Sequence, residues 1–256
     1  MKRVSIGFGV IAAMVSASAA SAHDFFLLPT QFIAPGKDPV AIQATVGSSF
    51  PTPEIVVPAD RADQLQVSGP GKPHIHIAGA GEKALNLAVS GAKPGLLVAV
   101  AGSKPRDVDY AEDRIPLILG EYRVAPEAAA AVEALPRPRS WKVVSRRFAK
   151  TMICVETCRD RTSADKSFGG HLEFIGSRTM AEHFTLLAHG KPLANYPIDL
   201  VDQTGKRQHL VTDGSGSIHL PNNARGTMML FAAKLEPPKG AERFTLDLTS
   251  LTFNRP

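Results

Sequence analysis

The feature that most constrains this chain is a succession of short apolar runs, each closed by glycine, proline or serine. Between His23 and about residue 102 they read "FFLLP", "VAIQATV", "QLQVSG", "HIHIAG", "ALNLAVSG" and "GLLVAVAG". Within them, "HIHI" and "LNLAV" alternate with the period of a half-buried strand. The chain carries 20 prolines and 21 glycines, and their use as punctuation between short runs predicts β-rich structure with frequent turns. That spacing suits a β-sandwich.

The pattern changes over residues 103–140, a polar, proline-punctuated stretch expected to be a connector packed beside the sandwich. It holds one short helix: Pro126 fits the first turn, Ala128 to Leu135 are good helix formers, and Pro136 stops it. From Trp141 the short strands return, separated by the turns "HGKPL", "QTGK", "DGSGS" and "NNARG". The expected fold is therefore mainly β, with two β-sandwich-like domains over 23–102 and 141–256. The C-terminal one is expected to be immunoglobulin-like or transthyretin-like.

Ahead of the first run lies a different kind of segment. Lys2 and Arg3 give a positive start, "IGFGVIAAMV" is an apolar run, and Ala20-Ser21-Ala22 supplies a small-x-small cleavage pattern. The run is about ten residues, where a bilayer span needs roughly 20. Residues 1–22 thus read as a secretory signal, with export to the periplasm, cleavage after Ala22 and an alternative after Ala20. No later segment approaches the length of a membrane span. Losing Lys2 and Arg3 lowers the formal charge from +5 to +3, and the excess is spread out, so composition makes no case for nucleic-acid binding.

Two cysteines occur in "ICVETCRD", as Cys154 and Cys158. An oxidising compartment favours a disulfide. On an extended strand, however, the two positions lie roughly 13 Å apart, and a disulfide needs Cα atoms within about 7 Å. The pair closes only if 154–158 turns, so a disulfide and two free thiols both remain open. A Cys-x3-Cys metal site lacks nearby partners.

Histidine offers the clearest chemistry. With cleavage after Ala22, the terminal amine and imidazole of His23 belong to one residue and can chelate one metal. A histidine from elsewhere would complete a nitrogen site suited to copper. With cleavage after Ala20, Ser21-Ala22-His23 offers a square-planar four-nitrogen site for Cu(II) or Ni(II). The bland alternative is a solvated terminal residue. "KPHIHIAG" places His74 and His76 on one face of a strand, about 6.5 Å apart, where they can share a metal or simply face solvent. His183, His189, His209 and His219 read as exposed strand positions, and His171 has no evident partner.

Other motifs are absent. "VTDGSGSIHLP" is neither a nucleophile elbow, since its serine spacing fails, nor an EF-hand loop, being too short and lacking the closing glutamate. There is no phosphate loop, dinucleotide fingerprint or zincin motif.

The opening "AHDFFLLPTQF" resembles the "AHDFWLEPxxF" start of a large bacterial periplasmic family of unknown function. Its members are often described as periplasmic components of cobalt or nickel transport. "VGSSFP" (46–51), "SRRFAKTMI" (145–153), "GGHLEFI" (169–175), "HGKPLANYPIDLV" (189–201), "VTDGSGSIHLP" (211–221) and "LTSLTF" (248–253) follow in that family's order. The resemblance covers nearly the whole chain after residue 22. It implies an N-terminal β domain, an immunoglobulin-like second domain and the handling of a divalent transition metal. His23 carries over, as does Asp24. Ser48 stands where the family has the histidine of "VGHGF", and Lys234 in "FAAKLEPP" where relatives carry another; His74 or His76 could substitute for the missing imidazoles.

These readings converge on a non-enzymatic periplasmic protein that binds Ni, Co or Cu and serves a membrane metal-transport complex. Its expected ligands are His23, Asp24, His74 and His76. Two other classes stand beside it: a metal-free β-sandwich interaction module, and a copper oxidoreductase built on an N-terminal histidine brace.

Overall fold

The computed structural model describes residues 23–36, 39–240 and 242–256. The expected signal peptide and both expected cleavage points lie outside the described residues. The chain begins with β1 (Asp24–Pro29), β2 (Ile33–Ala34), β3 (Val40–Gly47) and β4 (Ile55–Val56), followed by a single 3₁₀ turn at Ala59–Arg61. After β5 (Ala62–Ser68), β6 (Gly71–Ala80) and β7 (Leu85–Ala92) comes the long strand β8 (Gly95–Ala111). Helices α1 (Ile115–Tyr122) and α2 (Pro126–Glu133) lead into a second long strand, β9 (Ser140–Val155). The remainder is β10 (Leu172–Gly176), β11 (His183–Ala188), β12 (Lys191–Pro192), β13 (Pro197–Asp202), β14 (Arg207–Val211), β15 (Ser217–His219), β16 (Gly226–Glu236) and β17 (Phe244–Arg255).

These strands form three sheets, and the two sandwiches share one of them. The central sheet has eight strands, in the order β14-β13-β16-β17-β9-β8-β5 with β2 added against β9. A five-stranded sheet, β1-β3-β7-β6 with β4 on β3, covers one face of its N-terminal half. A four-stranded sheet built on β10, β11, β12 and β15 covers the opposite face.

Burial along β8 and β9 shows why one sheet can serve both. Leu97, Ala99, Ala101, Ala149 and Ile153 pack toward the five-stranded sheet, whereas Leu96, Val98 and Met152 pack toward the four-stranded one. The unbroken apolar runs "GLLVAVAG" and "TMICV" are strands covered on both faces, for which alternation is not required. Each fully buried Leu or Ile there contributes about 1.5–3 kcal/mol. Strand β8 passes uninterrupted through position 102, so the connector proper begins after Ala111.

The connector holds more helix than its sequence suggested. α2 starts at Pro126 as expected, and α1 precedes it, with Pro116 in its first turn and a left-handed Arg123 (φ 47°) ending it. Both helices pack over the far end of the central sheet, where Ile115, Ile118 and Val132 meet Trp141, Phe231 and Leu246.

Local devices fix the edges. The free side of β1 is tied to β17, whose Ser250 Oγ and Thr252 Oγ1 donate to the Phe25 and Leu27 carbonyls at 2.7 and 2.6 Å. This blunts an otherwise open edge. After β9 the chain reverses at Glu156 (φ 55°), which brings the Cα atoms of Cys154 and Cys158 to 4.9 Å, and the two are joined as a disulfide.

Candidate metal centre

The register of the first hairpin builds the surroundings of His23. Asp24 pairs with Gly47, which sets His23 beside Ser48. Ser48 Oγ donates to both carboxylate oxygens of Glu54, at 2.9 and 3.0 Å, and the Ser49 amide adds a bond at 3.2 Å. Hydrogen bonds from Ser48, then from Ser49, hold the Glu54 carboxyl below its ordinary value, so it is ionised. The His23 Nε2 atom lies 3.9 Å from Glu54 Oε2. An imidazole nitrogen and a carboxylate oxygen thus share one partly open site, in which Ser48 holds the glutamate.

The other expected ligands do not join it. Asp24 alternates to the opposite side of β1, where it is 3% exposed and ion-paired with Arg207. His74 and His76 lie on β6, at the far end of the path β1-β3-β7-β6. Three strand spacings separate them from β1, about 14 Å. Their rings stack face to face 6.1 Å apart on an exposed edge strand.

Two further histidine pairs form across strands. His183 stands directly opposite His219, with Nε2 and Nδ1 3.1 Å apart. His171 and His189 flank the paired residues Leu172 and Ala188, and their Nδ1 atoms are 3.5 Å apart. His189 is held there by a two-residue hairpin turn, His189-Gly190, in which both residues have positive φ (50° and 75°). Burial and the neighbouring Arg146 guanidinium hold His171 below its ordinary pKa. Six of the eight histidines are therefore paired, although among the described residues no three His, Cys, Asp or Glu side chains come together as a metal-binding group. The sequence could not show these pairs, because they depend on cross-strand register; nor did it single out Glu54.

Asp24 belongs to a buried charged cluster under α1. Arg207 bridges Asp24 and Asp199, with a 3.1 Å bond to Asp199 Oδ2. Asp199 also accepts from Arg123 at 3.0 Å and meets His209 Nδ1 at 2.7 Å. Burial raises the Asp24 carboxyl from 3.8 to about 6 despite the adjacent Arg207, and its Oδ1 atom has no hydrogen-bond partner.

On the His23 side lies a cleft of about 570 Å³ between the five-stranded sheet and the far halves of β8 and β9. Phe25, Val46, Val56, Val57 and Val108 supply apolar walls, while Arg61, Arg106, Arg147, Tyr110 and Ser145 supply polar groups. A β-bulge creates this lining. Ser103 pairs with Arg147 and Arg106 with Ser145, so three steps on β8 match two on β9. The extra residue inverts which side chains face inward, and Arg106, Val108 and Tyr110 turn toward the cleft. Arg61 Nη2 fastens the bulge by donating to the carbonyls of Lys104 and Pro105 at 2.9 and 3.2 Å.

No curated protein sequence matches this chain. Among solved structures, the D0-D1 domain of Intimin aligns over 90% of this chain and 97% of its own, at 13% identity and a TM-score of 0.23. The family model for a domain of unknown function, DUF4198, matches residues 20–235, from just ahead of His23 to the end of β16. With most of its length inside that match, the chain belongs to the DUF4198 family.

Proposed function

We propose that this chain is an exported, non-enzymatic protein that binds Ni(II), Co(II) or Cu(II) at His23, as a periplasmic accessory to uptake by a membrane metal-transport complex. The observation that carries the reading is the His23 imidazole 3.9 Å from the ionised Glu54 carboxylate, at the mouth of a cleft. Imidazole nitrogen with carboxylate oxygen is a donor set these metals accept. Signal cleavage after Ala22 would add the His23 amine as a third donor on the same residue. Glu54 takes the supporting place that the sequence offered to His74 or His76. No helix among the described residues is long and apolar enough to cross a membrane.

Secreted protein, with its N-terminus fixed by intact mass, should take up one Ni(II) or Cu(II) per chain. His23→Ala, or a single extra residue ahead of His23, should abolish tight binding. Glu54→Gln should weaken it by about 10- to 100-fold. Because a coordinating imidazole must be neutral, affinity should fall on acidification. Unchanged affinity in His23→Ala overturns the assignment.

A further inference from the structure

We infer that the cleft beside His23 binds an organic polycarboxylate, and that the metal reaches His23 as the chelate of that ligand; the second half of this inference rests on the metal-binding reading above.

Charge carries the argument. Arg61, Arg106 and Arg147 line the cleft, and among the described residues no carboxylate lines it, Glu54 standing beside His23 at its mouth. Among the described residues Arg106 and Arg147 have no hydrogen-bonded or ion-paired partner, although Arg147 is half-buried. The acidic residues of the same strand are committed elsewhere. Asp107 and Asp109 alternate with Arg106 and Val108, face the other side, and are paired with Arg243. A half-buried guanidinium without a hydrogen-bonded anion has donors to spare, and its planar fork matches a carboxylate in bidentate fashion.

The remaining lining narrows the ligand further. Apolar walls at Phe25, Val56 and Val108 suit a carbon skeleton better than a bare inorganic anion, and the volume is that of a small-molecule site. Burial pushes the Tyr110 hydroxyl pKa up, which keeps it a proton donor toward the same anion. His23 lines the cleft together with Arg147. A metal held by a polycarboxylate that keeps one coordination position open would present its carboxylates to the arginines and that position to the imidazole.

Calorimetry of the secreted protein with citrate, nickel citrate, inorganic phosphate and Ni(II) in a non-chelating buffer tests this. Citrate alone should bind, and Arg147→Gln or the exposed Arg106→Gln should each weaken it by about tenfold, the size of one charge-assisted hydrogen bond. Nickel citrate should bind about tenfold tighter than citrate, and His23→Ala should remove that difference. Absence of citrate binding, or equal binding of phosphate, overturns the inference. Nickel binding without citrate binding removes the polycarboxylate and leaves the metal reading intact. Citrate binding with no response to nickel removes the chelate and the metal reading together.

Discussion

His23 and Asp24 are adjacent in the chain, yet they open onto two regions that use arginine in opposite ways. On the Asp24 side, Arg207 and Arg123 are bound to Asp24 and Asp199, and Arg207 also lies over the Phe231 ring at 5.4 Å. On the His23 side, Arg106 and Arg147 line an open cleft without a carboxylate among the described residues. In the first arrangement each arginine is answered by a carboxylate within the protein. The second is left unanswered where a ligand could enter. Arginine content alone distinguishes nothing; the location of the compensating carboxylate separates a structural cluster from a binding surface.

The sharpest test of this contrast is removal of the bridging guanidinium. Arg207→Met leaves Asp24 and Asp199 buried at 3% exposure each without their shared counter-charge. Stability by chemical denaturation should drop by about 3–5 kcal/mol; a loss as small as that of a surface substitution would mean the cluster is not closed.

A smaller effect should appear in the pH dependence. The Asp24 carboxyl titrates near 6 in the folded chain, against an ordinary 3.8. Between about 4 and 6 the folded state therefore holds the proton more tightly than the unfolded state, and stability declines as pH rises through that window. Asp24→Asn should erase the decline, so wild type should lose stability relative to the variant from about pH 4 to 6 and the difference should then level off. A difference that is flat across the window would show that Arg207 fully offsets the burial of Asp24.

The smallest effect belongs to the cleft. Arg106→Gln and Arg147→Gln break no pairing among the described residues, so thermal unfolding should register a change within about 0.5 kcal/mol. A large loss in either variant would move that arginine from the open region to the closed one.

Legibility in the sequence followed the range of the interaction. Local signals gave the strands, the turns and α2 from Pro126, because turn residues and helix formers act within a few positions. The continuous run "GLLVAVAG" signals a strand without naming what covers its two faces, so two sandwiches could be read but not their shared sheet. Register was hidden as well. His171 with His189, and His183 with His219, meet only because of strand pairings at separations of 18 and 36 residues. One inserted residue near Lys104 and Pro105 decided that Arg106 faces the cleft, an effect that strand alternation predicts the wrong way round. Glu54 drew no notice because its role comes from Ser48, six residues away across a loop.

The position of β17 has a consequence in time. It lies inside the central sheet, antiparallel to β16 and parallel to β9, a strand made about a hundred residues earlier. Until residues 244–255 are available, β9 and β16 each carry an open interior edge, and the two halves of the sheet cannot meet. Folding of this architecture is thus a late, long-range event, and the rate should be slow for the chain's size. A growing chain can assemble the five-stranded sheet and pair β8 with β9, but it can close the central sheet only when its last strand has been made.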